Sequence, residues 1–446
     1  MKEKLLEVGS WTVEQARAKG AAAEAFLLHG EDLTVEVVDG QVETLKQSEE
    51  IGLGIRVFTG NRMGFAFTTD LDRTAVQETL EKALKGAKYT AEDSFNGLPQ
   101  THEQYPKLDT FDPAIESETL ERKIEMAREV ERQARATDKR VKVIERAGYE
   151  DSRYSVAVIS SEGVRVYQKG AYAGLFVFVM AEENGDAQTG FSVLAKRRLK
   201  DLDPVFVGKE GANDAVRSLG AKTIVSKAMP CVLEPYVMTN FLGVIADSFS
   251  ADAVQKGKSA LKDKIGQSLG SQWVTIIDDG TLQEGISAFP FDGEGWPSQR
   301  TMLLDKGVLK GYLYDSYTAR KDKTYSTGNG VRGSFRGLPS VGTTNVFLQP
   351  GSGTPEALIS DIKQGLYITE VMGMHTANPI SGDFSVGASG LMIENGKLTY
   401  PVRGATIAGN LLDFLSDIEG VASDLRFYGG TGSPTVRVKA LSVGGD

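Results

Sequence analysis

Glycine closes one tight turn after another in this chain, each between two runs of alternating apolar and polar residues, and that pattern commits much of the chain to β-hairpins. "LTVEVVDGQVETLK" turns at Asp39-Gly40, and "GLGIRVFTGNRMGFAFTT" turns at Gly60-Asn61. Further on, "QRTMLLDKGVLKGYL" and "SGLMIENGKLTYPV" share one design: an apolar run, an acidic-x-Gly turn, and a leucine two residues after the glycine. The 50 glycines follow no period, so they mark turns, and neither a collagen repeat nor a flexible linker fits.

Helical spacing interrupts this texture at defined places. A helix opens the chain and runs to about Lys19. Another starts after Asp72 as N-cap, with Gly86 as its stop. In "PAIESETLERKIEMAREVERQARATDK", Leu120, Ile124, Ala127, Val130 and Ala134 fall on one face, which predicts a single long helix. "KEGANDAVRSLG" predicts a further helix, and "VMTNFLGVIADSF", Val237 to Phe249, reads as one buried helix within a β-rich C-terminal half. "EAFLLH" predicts a short strand of its own, and "VKVIERAGYE", "RYSVAVISSEGVRVYQ" and "GLFVFVMAEENGDAQTGFSVLA" predict more strands. The order hairpin, hairpin, helix occurs twice, and "VEVVDGQVETLKQ" lines up with "VAVISSEGVRVYQ", as in a diverged internal repeat. A chain of 446 residues is long for one core. The expected fold class is α+β, with an N-terminal α/β domain over 1–90, a polar connection near 88–112, a central α/β domain over 113–222 that repeats the first, and a β-rich, barrel-like C-terminal domain over 228–446.

A formal net charge of −10 argues against direct nucleic-acid binding. The basic run "AKRRLK", Ala195 to Lys200, has no aromatic residues interleaved and reads as a solvated face. The N-terminus lacks an apolar signal core, and "AYAGLFVFVMA" is too short to span a bilayer, so a cytoplasmic protein without membrane association is expected. The single cysteine, Cys231, lies among apolar residues and reads as a buried small hydrophobe.

Chemistry-bearing motifs are sparse. The three histidines, His29, His102 and His375, stand too far apart to aim two imidazoles at one metal from a helix. Each reads as a surface or capping residue, with His29 ending a strand. "GNGVRG", Gly328 to Gly333, satisfies G-x-G-x-x-G, but "SFRGLPS" follows and no helix can start there to meet a pyrophosphate. "GAS" before Gly390 is not a nucleophile elbow. Asp292 and Glu294 in "FPFDGEGWPSQR" resemble a glycosidase carboxylate pair, but the interleaved Gly293 and Gly295 favour a turn.

The segments "FDGEGWPSQRTMLLDKGVLKGYLYDSYTAR", "STGNGVRGSFRGLPSVGTTNVFLQPG" and "SGDFSVGASGLMIENGKLTYPVRGATIAGNLLDFL" resemble, in order and spacing, the C-terminal region of the TldD/PmbA family. "VDGQVETLKQSEEIGLGIRVFTGNRMGFAFTTDLD" is similar to its first domain, so the resemblance covers nearly the whole chain. It implies a cytoplasmic protease system, also known by a modulator-of-DNA-gyrase name. In its catalytic branch, a C-terminal-domain helix bearing H-E-x-x-x-H and a cysteine near the C-terminus hold zinc, and the glutamate takes a proton from bound water.

In this sequence the corresponding helix places Pro235, Tyr236 and Asn240 where His, Glu and His would stand, and the tail "FYGGTGSPTVRV" offers Gly429 and Gly430 with no cysteine. The resemblance is therefore to the PmbA/TldE branch. It implies no metal or cofactor in this chain, no hydrolysis by this chain alone, and zinc in a TldD-like subunit forming a heterodimer with it. The alternative is a stand-alone homodimeric peptide-binding protein. Family subunits pair through barrel-like domains around a cavity. Residues Ser381 to Gly390 would then form a wall and strand-docking edge, with Asp383, Phe384 and Ser385 as peptide contacts, unless Asp383 simply caps a turn. A third reading, a hydrolase with unconventional ligands such as His375 and Asp383, is testable by metal analysis.

Overall fold

The computed structural model describes residues 1–445. Helix α1 (Lys2–Ala18) leads into β1 (Ala22–Val38), β2 (Gln41–Thr59), β3 (Arg62–Thr68) and α2 (Arg73–Ala87). After the short α3 (Pro113–Ser117), the order helix, three strands, helix returns as α4 (Leu120–Thr137), β4 (Val141–Ser160), β5 (Arg165–Glu183), β6 (Asp186–Lys196) and α5 (Pro204–Arg217). Both sets share one antiparallel sheet of order β3-β2-β1-β4-β5-β6. The joint is the β1–β4 pairing, which runs from Glu24 opposite Ser160 to Val37 opposite Ala147.

Strand alternation gives this sheet two different faces. On one, Ala25, Leu27, Leu53 and Ile55 pack under α1 and α2, while Val35, Val37, Ala147 and Val177 pack under α4 and α5. On the other, Phe26 and Val158 pack against Phe291 and Phe335 of the C-terminal region. The helices approach so closely that side chains are excluded: a Cβ on Gly64 of β3 would lie 1.9 Å from the Ala83 carbonyl oxygen of α2, and one on Gly190 of β6 would lie 2.2 Å from the Ala215 nitrogen of α5. These two glycines occupy matching places in the two halves.

The predicted hairpin turns form with the expected left-handed residues: Asp39 and Gly40 at φ 50° and 72°, Lys306 and Gly307 at 49° and 81°, Asn395 and Gly396 at 49° and 75°. Several boundaries differ from the sequence reading. "EAFLLH" and the hairpin arm after it are one strand, as are "VKVIERAGYE" and the arm after it. The polar stretches "HGED" and "EDSR" look like breaks in the sequence, but they cross the middle of the sheet, where His29 pairs with Glu49, Asp151 with Lys123 and Glu31 with Arg153. The long helix expected over 113–139 is split, because the Thr119 hydroxyl accepts from the Arg122 N–H and starts α4 afresh. Gly86 lies inside α2, which ends at Ala87.

Arg197, expected on a solvated basic face, is buried. Its guanidinium donates to the carbonyls of Thr110 (2.9 Å), Gly285 (2.5 Å) and Ala288 (3.0 Å). It thereby ties the connection and the end of β6 to the C-terminal region.

The C-terminal region contains a closed barrel. β7 (Lys227–Leu233) pairs with Gln364–Met372 on one side and Val436–Gly444 on the other. The hairpin Asp383–Glu394 and Lys397–Asn410 continues the sheet, and pairing of Thr406 with Gly444 closes it. A second sheet carries the strands Ile276–Asp279, Arg300–Asp305, Val346–Leu348, Thr431–Ser433 and Arg426–Tyr428. The predicted buried helix, α6 (Pro235–Asp247), shares one core with both sheets. Its Phe241 stacks on Phe414 at 4.8 Å and meets Phe384 edge-on at 5.2 Å. Cys231 of β7 is buried in this core, and burial pushes its thiol up to about 12, so it is no nucleophile at neutral pH.

Candidate functional site

Helix α6 begins at Pro235 because proline suits the first helical position, and the chain enters it directly from β7. Two charged pairs from α5 fix its surroundings. Arg217 donates to both oxygens of Glu234, the residue before α6, at 2.6 and 2.8 Å, and to Asp214 at 2.6 Å. Glu210 accepts from Arg426 at 2.7 Å, and Arg426 also donates to the Val193 carbonyl of β6. One helix of the central region thus holds both the start of α6 and the C-terminal tail in place.

The two segments singled out in the sequence do meet. The Tyr236 ring lies 5.0 Å from Tyr428 of the tail and 4.8 Å from Phe191 of β6, and Phe191 stacks on Phe178 of β5 at 6.0 Å. An aromatic row therefore runs from the open face of the N-terminal sheet to the first turn of α6. Pro235 brings no donor atom. The Asn240 amide donates to the Tyr236 carbonyl at 2.8 Å and is spent on the helix itself. A proline, a phenol and an engaged amide are a donor set that does not fit zinc. Tyr428, Phe191, Arg217 and Arg426 escape sequence reading because their partners lie far away along the chain.

None of the three histidines lies on α6. His29, expected to end a strand at the surface, is buried in the middle of β1, with Nε2 2.8 Å from Glu49 and 3.9 Å from Glu31. Among the described residues these three form the one convergent set of potential metal-ligating side chains. Glu31 is already paired with Arg153 at 2.6 Å, so the set reads as an ion-pair chain. His102 meets Trp296 edge-on at 4.2 Å, and burial lowers its basicity. His375 is exposed on a short turn of helix.

The 381–390 segment divides by strand alternation. Asp383 and Ser385 face outward, whereas Phe384 points into the core against Phe241 and Phe414, so its ring is not presented to a ligand. Asp383 accepts from the Asn410 side chain at 3.0 Å, which, with Ser381, holds its carboxyl below the usual range. Gly387–Glu394 is paired on both sides, so the barrel leaves no edge there. Asp383 to Val386, in contrast, pair only with Asn410 to Ile407 of the next strand.

Asp292 and Glu294 form a turn, as expected, but a buried one. Asp292 accepts from the backbone N–H groups of Glu294, Trp296 and Gly330. Burial, then the Glu294 charge, hold its carboxyl well above the usual carboxylate range. Glu294 bonds to Arg56 of β2 at 2.9 Å, Arg56 also bonds to Glu24 of β1 at 2.7 Å, and Arg332 bonds to Glu24. This network fastens the N-terminal sheet to the C-terminal region.

Comparison with known proteins decides the lineage. Family models described as PmbA/TldA metallopeptidase domain 1, central domain and C-terminal domain match residues 23–88, 113–219 and 226–445. The chain belongs to the TldD/PmbA family. It is 30% identical to the metalloprotease PmbA of Escherichia coli O157:H7, over 99% of this chain and 96% of that one. It is 28% identical to a Haemophilus influenzae metalloprotease TldD homolog, over 95% and 92%. A Thermotoga maritima protein described as a candidate modulator of a DNA gyrase superposes with a TM-score of 0.91 at 29% identity, covering 98% of this chain and 99% of that one. TldE from Thermococcus kodakarensis shares the fold, with a TM-score of 0.90 at 22% identity over 99% of each chain. Among the described residues no helix is long and apolar enough to cross a membrane.

Proposed function

We propose that this chain is the metal-free, PmbA/TldE-like subunit of a TldD-type zinc metallopeptidase that acts on small or unfolded peptides. The observation that carries this reading is the occupancy of α6: Pro235, Tyr236 and Asn240 stand in an otherwise complete family fold, packed against a tail that supplies Tyr428 and glycine in place of a thiolate. The zinc would be held by the partner. Ser385, outward on a stretch of strand paired on one side only, supports a role in docking an extended peptide by strand addition, with Asp383 beside it.

Native mass spectrometry of the purified chain, with and without a family member carrying H-E-x-x-x-H, tests the reading. Mixed dimers should replace any self-dimer on incubation. A homodimer that never exchanges would favour the stand-alone peptide-binding protein instead.

A further inference from the structure

A cavity of about 510 Å³ opens between the sheet's helix-free face and the tail, beside the Tyr236–Tyr428 contact. Its floor comes from alternate residues of successive strands: Glu36 of β1, Arg146 and Glu150 of β4, Phe176 and Phe178 of β5. Tyr428 of the tail stands in the far wall. The floor is flat because residue 148 is glycine: a Cβ there would lie 2.2 Å from the Phe176 ring.

Two features of this cleft favour a cation. The Arg146 guanidinium already lies 4.6 Å over the Phe178 ring and 5.9 Å over Phe176, 3.4 Å from Glu36, so the surface accommodates a positive group against aromatic faces. Glu150, in contrast, has no cation within 4.0 Å among the described residues, and neither has the neighbouring Asp32. Their like charges face each other across one sheet position, since Thr34 is opposite Glu150 and Asp32 opposite Ser152. Desolvation, then Asp32, hold the Glu150 carboxyl above its usual value. Both carboxylates are exposed at the surface of the cleft, so a positive group arriving from solvent can reach them.

We propose that this cleft binds the positively charged group of a peptide, an ammonium or guanidinium, with Glu150 as its counter-ion and the Phe176, Phe178 and Tyr428 rings flanking its aliphatic stem. This rests on the peptide-handling reading above and adds to it a preference for cationic peptides. The group could be a free amino terminus or a Lys or Arg side chain.

Fluorescence anisotropy with the full chain separates these sources. Three short Ala/Ser/Leu peptides, amidated and labelled with a neutral dye at the C-terminus, serve as probes: one with a free amino terminus, one acetylated with a single internal Lys, one acetylated without a cation. At least one of the first two should bind about tenfold more tightly than the third, and Glu150→Gln should remove that advantage. Glu78→Gln, on the exposed side of α2, should leave it intact. Whichever cationic peptide shows the gain identifies the source. Equal binding of all three, a gain that survives Glu150→Gln, or no binding of any peptide would overturn the proposal. Mixed-dimer formation, read separately, would be untouched by those results.

Discussion

Arg56→Met should destabilise the folded chain by about 3–5 kcal/mol, read as a fall in the urea midpoint and in Tm. The guanidinium is buried and bridges Glu24 and Glu294 at 2.7 and 2.9 Å. Although burial opposes its charge, the two carboxylates hold it above its ordinary value. Methionine fills much of the space, and Glu24 keeps Arg332, but Glu294 is left buried without its cation, and the penalty is chiefly its own. Glu294 is normally held ionised by Arg56 and the Ser316 N–H, against its own burial. In the variant its pKa must rise, so stability should be lost more steeply as pH increases above the carboxylate range, because ionisation of Glu294 is then favoured only in the unfolded chain. A loss below about 1 kcal/mol would mean that water enters the junction and that the network does not hold the two regions together.

Arg197→Met should cost about 3 kcal/mol or more by the same measurements. Here no carboxylate is involved. The positive charge is compensated by the carbonyls of Thr110, Gly285 and Ala288; without it Thr110 and Gly285 keep the N–H groups of Ala171 and Ala288, but each loses its charge-assisted bond and the Ala288 carbonyl loses its donor. Arg197→Lys should recover little, since a single ammonium cannot reach acceptors spread around a planar fork. A neutral outcome would return Arg197 to the solvated face that its sequence neighbours suggest.

Arg197 also shows where sequence reading runs out. In "AKRRLK" three of the four charged residues escape burial, and nothing local marks the one that turns inward to a carbonyl 87 residues away in sequence. The same limit hides the polar centre of the sheet: His29, Glu31 and Arg153 look like breaks between strands because strand propensity cannot see that His29 pairs with Glu49 and Glu31 with Arg153. What repeats locally is legible. The Asp39-Gly40, Lys306-Gly307 and Asn395-Gly396 turns require φ > 0 at both central residues, and the helical spacing of α6 survives in a β-rich context because its apolar residues meet a core on nearly every side. At the candidate site, the expectation that α6 and the glycine tail lack zinc ligands comes from the family resemblance, and the proposed function rests on it. The aromatic row that fills the place is not legible, since Phe191, Tyr236 and Tyr428 come together only through the fold. Phe384 shows the same gap in miniature: alternation in its strand puts Asp383 and Ser385 outside and the ring between Phe241 and Phe414.

The account stands on the chemistry of one helix, and zinc quantification combined with a peptidase assay on the chain purified alone addresses it most directly. The expected result is zinc well below one per chain and no hydrolysis of unfolded peptides, with hydrolysis appearing only when an H-E-x-x-x-H partner is added. One tightly held zinc per chain, with hydrolysis by this chain alone that disappears in His375→Ala, would contradict it.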